Sequence, residues 1–174
     1  GHFLRILGMA YKALIDGSNE SFLLVIDELN RGNAAAIFGT VFQLLDRESD
    51  GWSSYEVDIS DMELFGLLEA MRLNPIIQQN GSLDIEVCRG KRTYNNYLWN
   101  KEIQLNGNNL NVSRVCNLLK QRRINISSNL SIIAMINTSV ESIYYLDSAF
   151  KRRWDWENVK SPSETLHGYP SELE

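Results

Sequence analysis

Phe22-Leu23-Leu24-Val25-Ile26-Asp27-Glu28-Leu29-Asn30-Arg31-Gly32-Asn33 decides how the rest of this 174-residue chain is read. Five apolar residues run into two adjacent carboxylates and then into a polar, glycine-containing break. An unbroken apolar run suits a strand covered on both faces, as in a parallel sheet, and the carboxyl ends of such strands are where open α/β sheets place ligands. Asp27 and Glu28 therefore fall where a ligand is expected. A carboxylate pair there suits nucleotide hydrolysis: one acid holds the Mg2+ that bridges phosphate oxygens, and its neighbour orients and polarises the attacking water. The plainer alternative is a strand that ends in a solvated acidic turn.

Working outward, Phe3, Leu4, Ile6, Leu7, Ala10, Tyr11 and Leu14 recur at three- and four-residue spacing. This predicts an amphipathic helix that stops at the Asp16-Gly17-Ser18-Asn19 turn. Beyond Gly32, the positions Ala35, Ala36, Ile37, Val41, Phe42, Leu44 and Leu45 follow helical period, with Asn33 as N-cap, and predict a second helix to about Asp46. Helix, strand, helix implies a layered α/β domain with right-handed crossovers if the strands pair in parallel. From Asp46 to about Asn129 the pattern changes, and residues 51–123 read as an α+β insertion between two core strands. Within it Met62 to Leu73 and Val112 to Arg123 look helical, and Leu83-Asp84-Ile85-Glu86-Val87 alternates like a half-exposed strand. Leu130-Ser131-Ile132-Ile133-Ala134-Met135-Ile136 is a second apolar strand, ending at Asn137-Thr138. A short helix over Ser142 to Phe150 then leads to Lys151-Arg152-Arg153, and residues 158–174 read as a linker or tail.

Composition narrows the classes. With 44% hydrophobic and 22% charged residues the chain is ordinary for a soluble globular domain. There is no apolar stretch of membrane-spanning length and no signal-peptide pattern, so the cytoplasm is the expected compartment. Cys88 and Cys116 are too far apart for a CxxC pair, and two histidines are too few for a structural zinc site. A net charge of -5 argues against a broad nucleic-acid-binding face, so DNA contact is expected through other regions. Lys120, Arg122 and Arg123 could touch phosphates, but a solvated helix end is the simpler reading.

Three separated signals line up: the strand ending Asp27-Glu28 with Asn30-Arg31-Gly32-Asn33 after it, the strand ending Asn137-Thr138, and Asp147-Ser148-Ala149-Phe150-Lys151-Arg152-Arg153-Trp154. Together they resemble the AAA+ P-loop ATPase core. More narrowly they resemble its McrB-like branch, the GTPase/ATPase motor subunits of modification-dependent (5-methylcytosine) restriction systems. Gly1-x-Phe3, Ile37-Phe38-Gly39, Leu44-Leu45 and Ile126-x-x-Asn129-Leu130 are similar as well. The resemblance covers residues 1 to about 50 and 124 to 157, a partial AAA+ core. It implies that Asp27 binds Mg2+ in the Walker B role and Glu28 activates the hydrolytic water. It gives Asn137 the sensor role against the γ-phosphate or attacking water, where a cap or turn residue is the alternative. It makes Arg152 and Arg153 candidates for an arginine finger acting on a neighbouring subunit's nucleotide, where a solvated basic helix end is the alternative. It further implies ATP or GTP with Mg2+, a homo-oligomeric ring of hexamer size, and a partner nuclease of the McrC type.

The pattern also departs from that family. No GxxxxGK[ST] occurs, and Gly90-Lys91-Arg92 lacks both the earlier glycine and the hydroxyl. This chain by itself is therefore expected not to hydrolyse NTP, its P-loop lying upstream in a longer protein. The family's MNTADRS-like run stands here as Ile136-Asn137-Thr138-Ser139-Val140-Glu141-Ser142, without the acid and the arginine. A non-catalytic AAA+-like assembly domain is the other reading kept open.

Overall fold

A computed structural model describes residues 1–33, 39–87, 90–104, 109–136, 146 and 148–159. Helix α1 spans His2–Ile15 and buries Leu7, Ala10, Tyr11, Leu14 and Ile15, the stripe its spacing predicts. The chain then turns into β1, Phe22–Ile26, which pairs in parallel with β7, Leu130–Ala134, in the register Phe22↔Leu130 through Ile26↔Ala134. These two strands, more than a hundred residues apart in sequence, are direct neighbours. Residues 27–129 connect them.

The described part of that connection is mixed α and β. After a turn of 3-10 helix at Leu29–Arg31 and a second at Gly39–Leu45, the elements are β2 (Val57–Asp58), α2 (Asp61–Ala70), β3 (Asn74–Ile77), β4 (Leu83–Val87), β5 (Gly90–Thr93), α3 (Tyr94–Gln104), α4 (Leu110–Lys120) and β6 (Arg123–Ile124). β3, β4 and β5 form an antiparallel sheet in that order, and β2 pairs antiparallel with β6. Helices α2 and α4 both pack on α1, and a single buried cluster joins Leu7, Tyr11 and Ile15 to Leu67, Leu68, Val115 and Leu119. The insertion supplies most of the core rather than standing apart from it.

Close approach of α1 to α2 depends on Gly8. A Cβ there would lie 2.6 Å from the Ala70 Cβ and 2.9 Å from the Leu67 carbonyl oxygen. The start of the parallel pair is fixed by Asn129: its side-chain amide donates to the carbonyls of Ala10 and Glu20 at 3.1 and 3.2 Å, and the Phe22 N–H donates to its own carbonyl. Arg47, partly buried, donates to the carbonyls of Ser127 and Leu130 and steadies the same entry.

Two expectations change. The apolar strand is not covered on both faces by the described residues: Phe22, Leu24 and Ile26 pack on the core, while Leu23 and Val25 are 48% and 53% exposed. The described chain brings a helix to one face only. The second helix is a 3-10 stretch at Gly39–Leu45 among the described residues, its first part falling at 34–38, outside them. After Lys151, Trp154 lies against Phe150, ring centroids 5.7 Å apart, and Trp156 is half exposed. Of the short helix expected over Ser142 to Phe150, residues 142–145 and 147 lie outside the described residues, and Ser148–Lys151 is helical, named α5.

Candidate functional site at the tip of the parallel pair

Asp27 leaves the end of β1 exposed to solvent, and among the described residues it makes no hydrogen bond or ion pair. Glu28, next in the chain, adopts φ 51°, ψ 46°, a left-handed conformation that costs an L-residue with a Cβ about 1–2 kcal/mol. Strain of this kind persists only where surrounding structure fixes it, and it gathers at functional sites. The fixing is visible. The Met135 N–H donates to the Ile26 carbonyl at 2.8 Å, and the Leu29 N–H donates to the Met135 carbonyl at 2.9 Å. Met135 is thereby bonded to the residues on both sides of the Asp27-Glu28 pair. The two strand tips lie together, and the left-handed step at Glu28 turns the chain so that this can happen.

The Glu28 carboxylate is half-buried and paired with Arg31 at 3.1 Å, within the turn Leu29–Arg31. Arg31, three residues on, is the ionic partner of Glu28 in this fold. Nothing in the amino-acid pattern signals that contact beyond the three-residue spacing. Asn137 lies outside the described residues, which extend to Ile136, two residues past the end of β7.

The two arginines differ. Arg153 donates to the Ala149 carbonyl at 2.6 Å, pairs with Asp46 at 3.0 Å and lies 4.2 Å over the Phe42 ring, its side chain 9% exposed. Arg152 is exposed and makes no ion pair among the described residues. Further along the chain, Arg122 pairs with Asp61, and Arg123 with Asp58 at 2.8 Å, so those two cations are already matched by acids.

Among the described residues no group of three or more His, Cys, Asp or Glu side chains could hold a metal ion. No described helix is long and apolar enough to cross a membrane.

The described residues define a mixed α/β protein in which a parallel strand pair presents adjacent carboxylates at its carboxyl end. A comparison with curated proteins finds the Type II restriction enzyme BsuMI component YdiS of Bacillus subtilis (strain 168), 32% identical over 160 residues. The match takes in 92% of this chain and 32% of that protein, so the chain spans about a third of the relative it resembles. It necessarily includes most of residues 51–123, the segment that the motif resemblance leaves unexplained. No family model matches, and no solved structure matches.

Proposed function

We propose that this chain is part of an NTP-hydrolysing motor subunit of a DNA restriction system, of the McrB-like AAA+ kind, with its phosphate-binding loop supplied by another part of a longer polypeptide. The observation that carries the proposal is the tip of β1: an exposed carboxylate, Asp27, without a partner among the described residues, followed by a left-handed Glu28 and locked to the end of β7 through Met135. Similarity to a restriction-enzyme component supports the biological setting. In this reading Asp27 holds Mg2+, which screens phosphate charge when bound. Glu28 accepts a hydrogen bond from the attacking water and takes up its proton, and Asn137 aligns that water. Arg152 faces the nucleotide of a neighbouring subunit in a ring, while Arg153 holds the segment bearing it. The motor serves a partner nuclease of the McrC type in the cytoplasm, with ATP or GTP as fuel and DNA bound through other regions.

In the complete protein, Glu28→Gln is expected to leave Mg-nucleotide binding intact and to lower turnover at least a hundredfold, measured as phosphate release. Turnover equal to the parent's would remove the assignment. One observation favours a second reading, an assembly domain without catalysis: Glu28 is held by Arg31 rather than standing open. Equilibrium binding separates the two, since that reading predicts no Mg-nucleotide binding by the complete protein.

A further inference from the structure

A cleft of about 690 Å3 opens beside α4, and none of its walls comes from the tip of the parallel pair. Its floor is stiff. Trp52 is 2% exposed; its backbone N–H donates to the Asp50 carboxylate at 2.9 Å and its indole N–H to the Asn111 side-chain oxygen at 3.1 Å. The Arg114 guanidinium lies 4.7 Å over the indole ring and pairs with Asp50 at 3.0 Å. The aromatic ring and the one cation among the lining residues are thus already engaged, so neither stands open to a nucleobase or a phosphate. What remains on the wall is neutral. Ser113, Asn117 and Gln121 stand four residues apart along α4 and its C-cap, and their side chains have no hydrogen-bond partner among the described residues. Four helical residues rise about 6 Å, close to the roughly 6.7 Å that two residues of extended chain span. Such a row meets the N–H and C=O groups of every second residue along one edge of an extended chain, and each side-chain amide both donates and accepts.

We propose that this cleft docks an extended segment of a partner protein, held by its backbone on Ser113, Asn117 and Gln121 and carrying one basic and one aliphatic side chain. The charge of the cleft selects the basic one. Asp50 and Glu56 outnumber Arg114 among the lining residues, and the Glu56 carboxylate, its side chain 41% exposed, meets Arg123 only at 3.7 Å, a guanidinium that Asp58 holds more closely at 2.8 Å. Leu110, 82% exposed at the start of α4, supplies the apolar contact. The stiff floor lowers the ordering cost of binding at an open groove. An acidic segment and the phosphate backbone of a nucleic acid are both disfavoured by the same two carboxylates.

Selection from a displayed library of random short peptides against the complete protein tests the surface. The expected winners carry Lys or Arg together with Leu, Ile or Val, lack Asp and Glu, and bind as synthetic fluorescent peptides in an anisotropy titration. Asn117→Ala and Gln121→Ala, both at exposed positions and expected to leave the thermal midpoint unchanged, should each weaken that binding about tenfold, the loss of one or two hydrogen bonds. N-methylation of alternate backbone amides in the peptide should abolish binding in one register and be tolerated in the other, which a purely side-chain contact would not produce. A library that yields no binder would overturn the proposal, as would winners indifferent to both variants and to N-methylation. Self-association of the protein that Asn117→Ala removes would overturn it too, by placing a second copy in the cleft.

Discussion

Arg152 and Arg153 are chain neighbours with opposite surroundings, and the contrast shows how much a local fold changes what a residue can do. Arg153 is consumed by Asp46, the Ala149 carbonyl and the Phe42 ring. Removing a half-buried, charge-assisted bond leaves polar groups without partners, so Arg153→Ala should lower stability by about 2 kcal/mol in a denaturant titration. Arg152→Ala should leave the unfolding midpoint where it is and cut turnover only in the assembled ring. Equal destabilisation by both would contradict the division of roles. Glu28 is the other telling residue. Its apolar-run-plus-acid setting is plain in the sequence, yet its left-handed backbone and its pairing with Arg31 are not, because both arise from where the strand tip meets Met135, more than a hundred residues away.

Elements legible in the sequence are those whose own side chains decide them. α1 and α4 carry strong apolar stripes, and both appear within about three residues of the spans that periodicity predicts. α2 is marked by a capping box: the Ser60 hydroxyl accepts from the Glu63 N–H, while the Glu63 carboxylate accepts from the Ser60 N–H. Those hydrogen bonds hold the Glu63 carboxyl below the ordinary range. Ser60→Ala should therefore cost about 1 kcal/mol, checked by the shift in urea midpoint. Gly8 belongs to this scale too. Gly8→Val should separate α1 from α2 and destabilise by about 1–3 kcal/mol, since the added carbons meet Ala70 and the Leu67 carbonyl rather than open space. What the sequence could not reveal is the bare side of β1. An apolar run reads as covered on both faces, and the pattern says nothing of whether the cover lies within reach.

At the scale of the whole molecule, residues 51–123 and the flanking segments share one core, and the buried Tyr11 marks the joint between α1 and the stretch that leads into β7. The Tyr11 hydroxyl donates to the Asn125 carbonyl at 2.7 Å and accepts from the Asn125 N–H at 3.0 Å. Burial drives the Tyr11 and Tyr94 phenols well above their ordinary range, and Tyr97 up to about 12. Because the folded state keeps these protons and the unfolded state releases them near pH 10, their contribution is complete below about pH 10 and is lost as pH rises above it. Thermal unfolding should therefore weaken above pH 10, and Tyr11→Phe should flatten that decline. An unchanged slope would show that Tyr11 does not hold the joint.

The direct test of the central claim, that the tip of the parallel pair serves a metal-bound nucleotide, is a Mg2+ titration of turnover in the complete protein carrying Asp27→Asn. Loss of a charged ligand should raise the Mg2+ concentration for half-maximal turnover at least tenfold, whereas Glu28→Gln should lower the plateau. An Asp27→Asn protein with the parent's Mg2+ dependence and the parent's plateau would contradict the account.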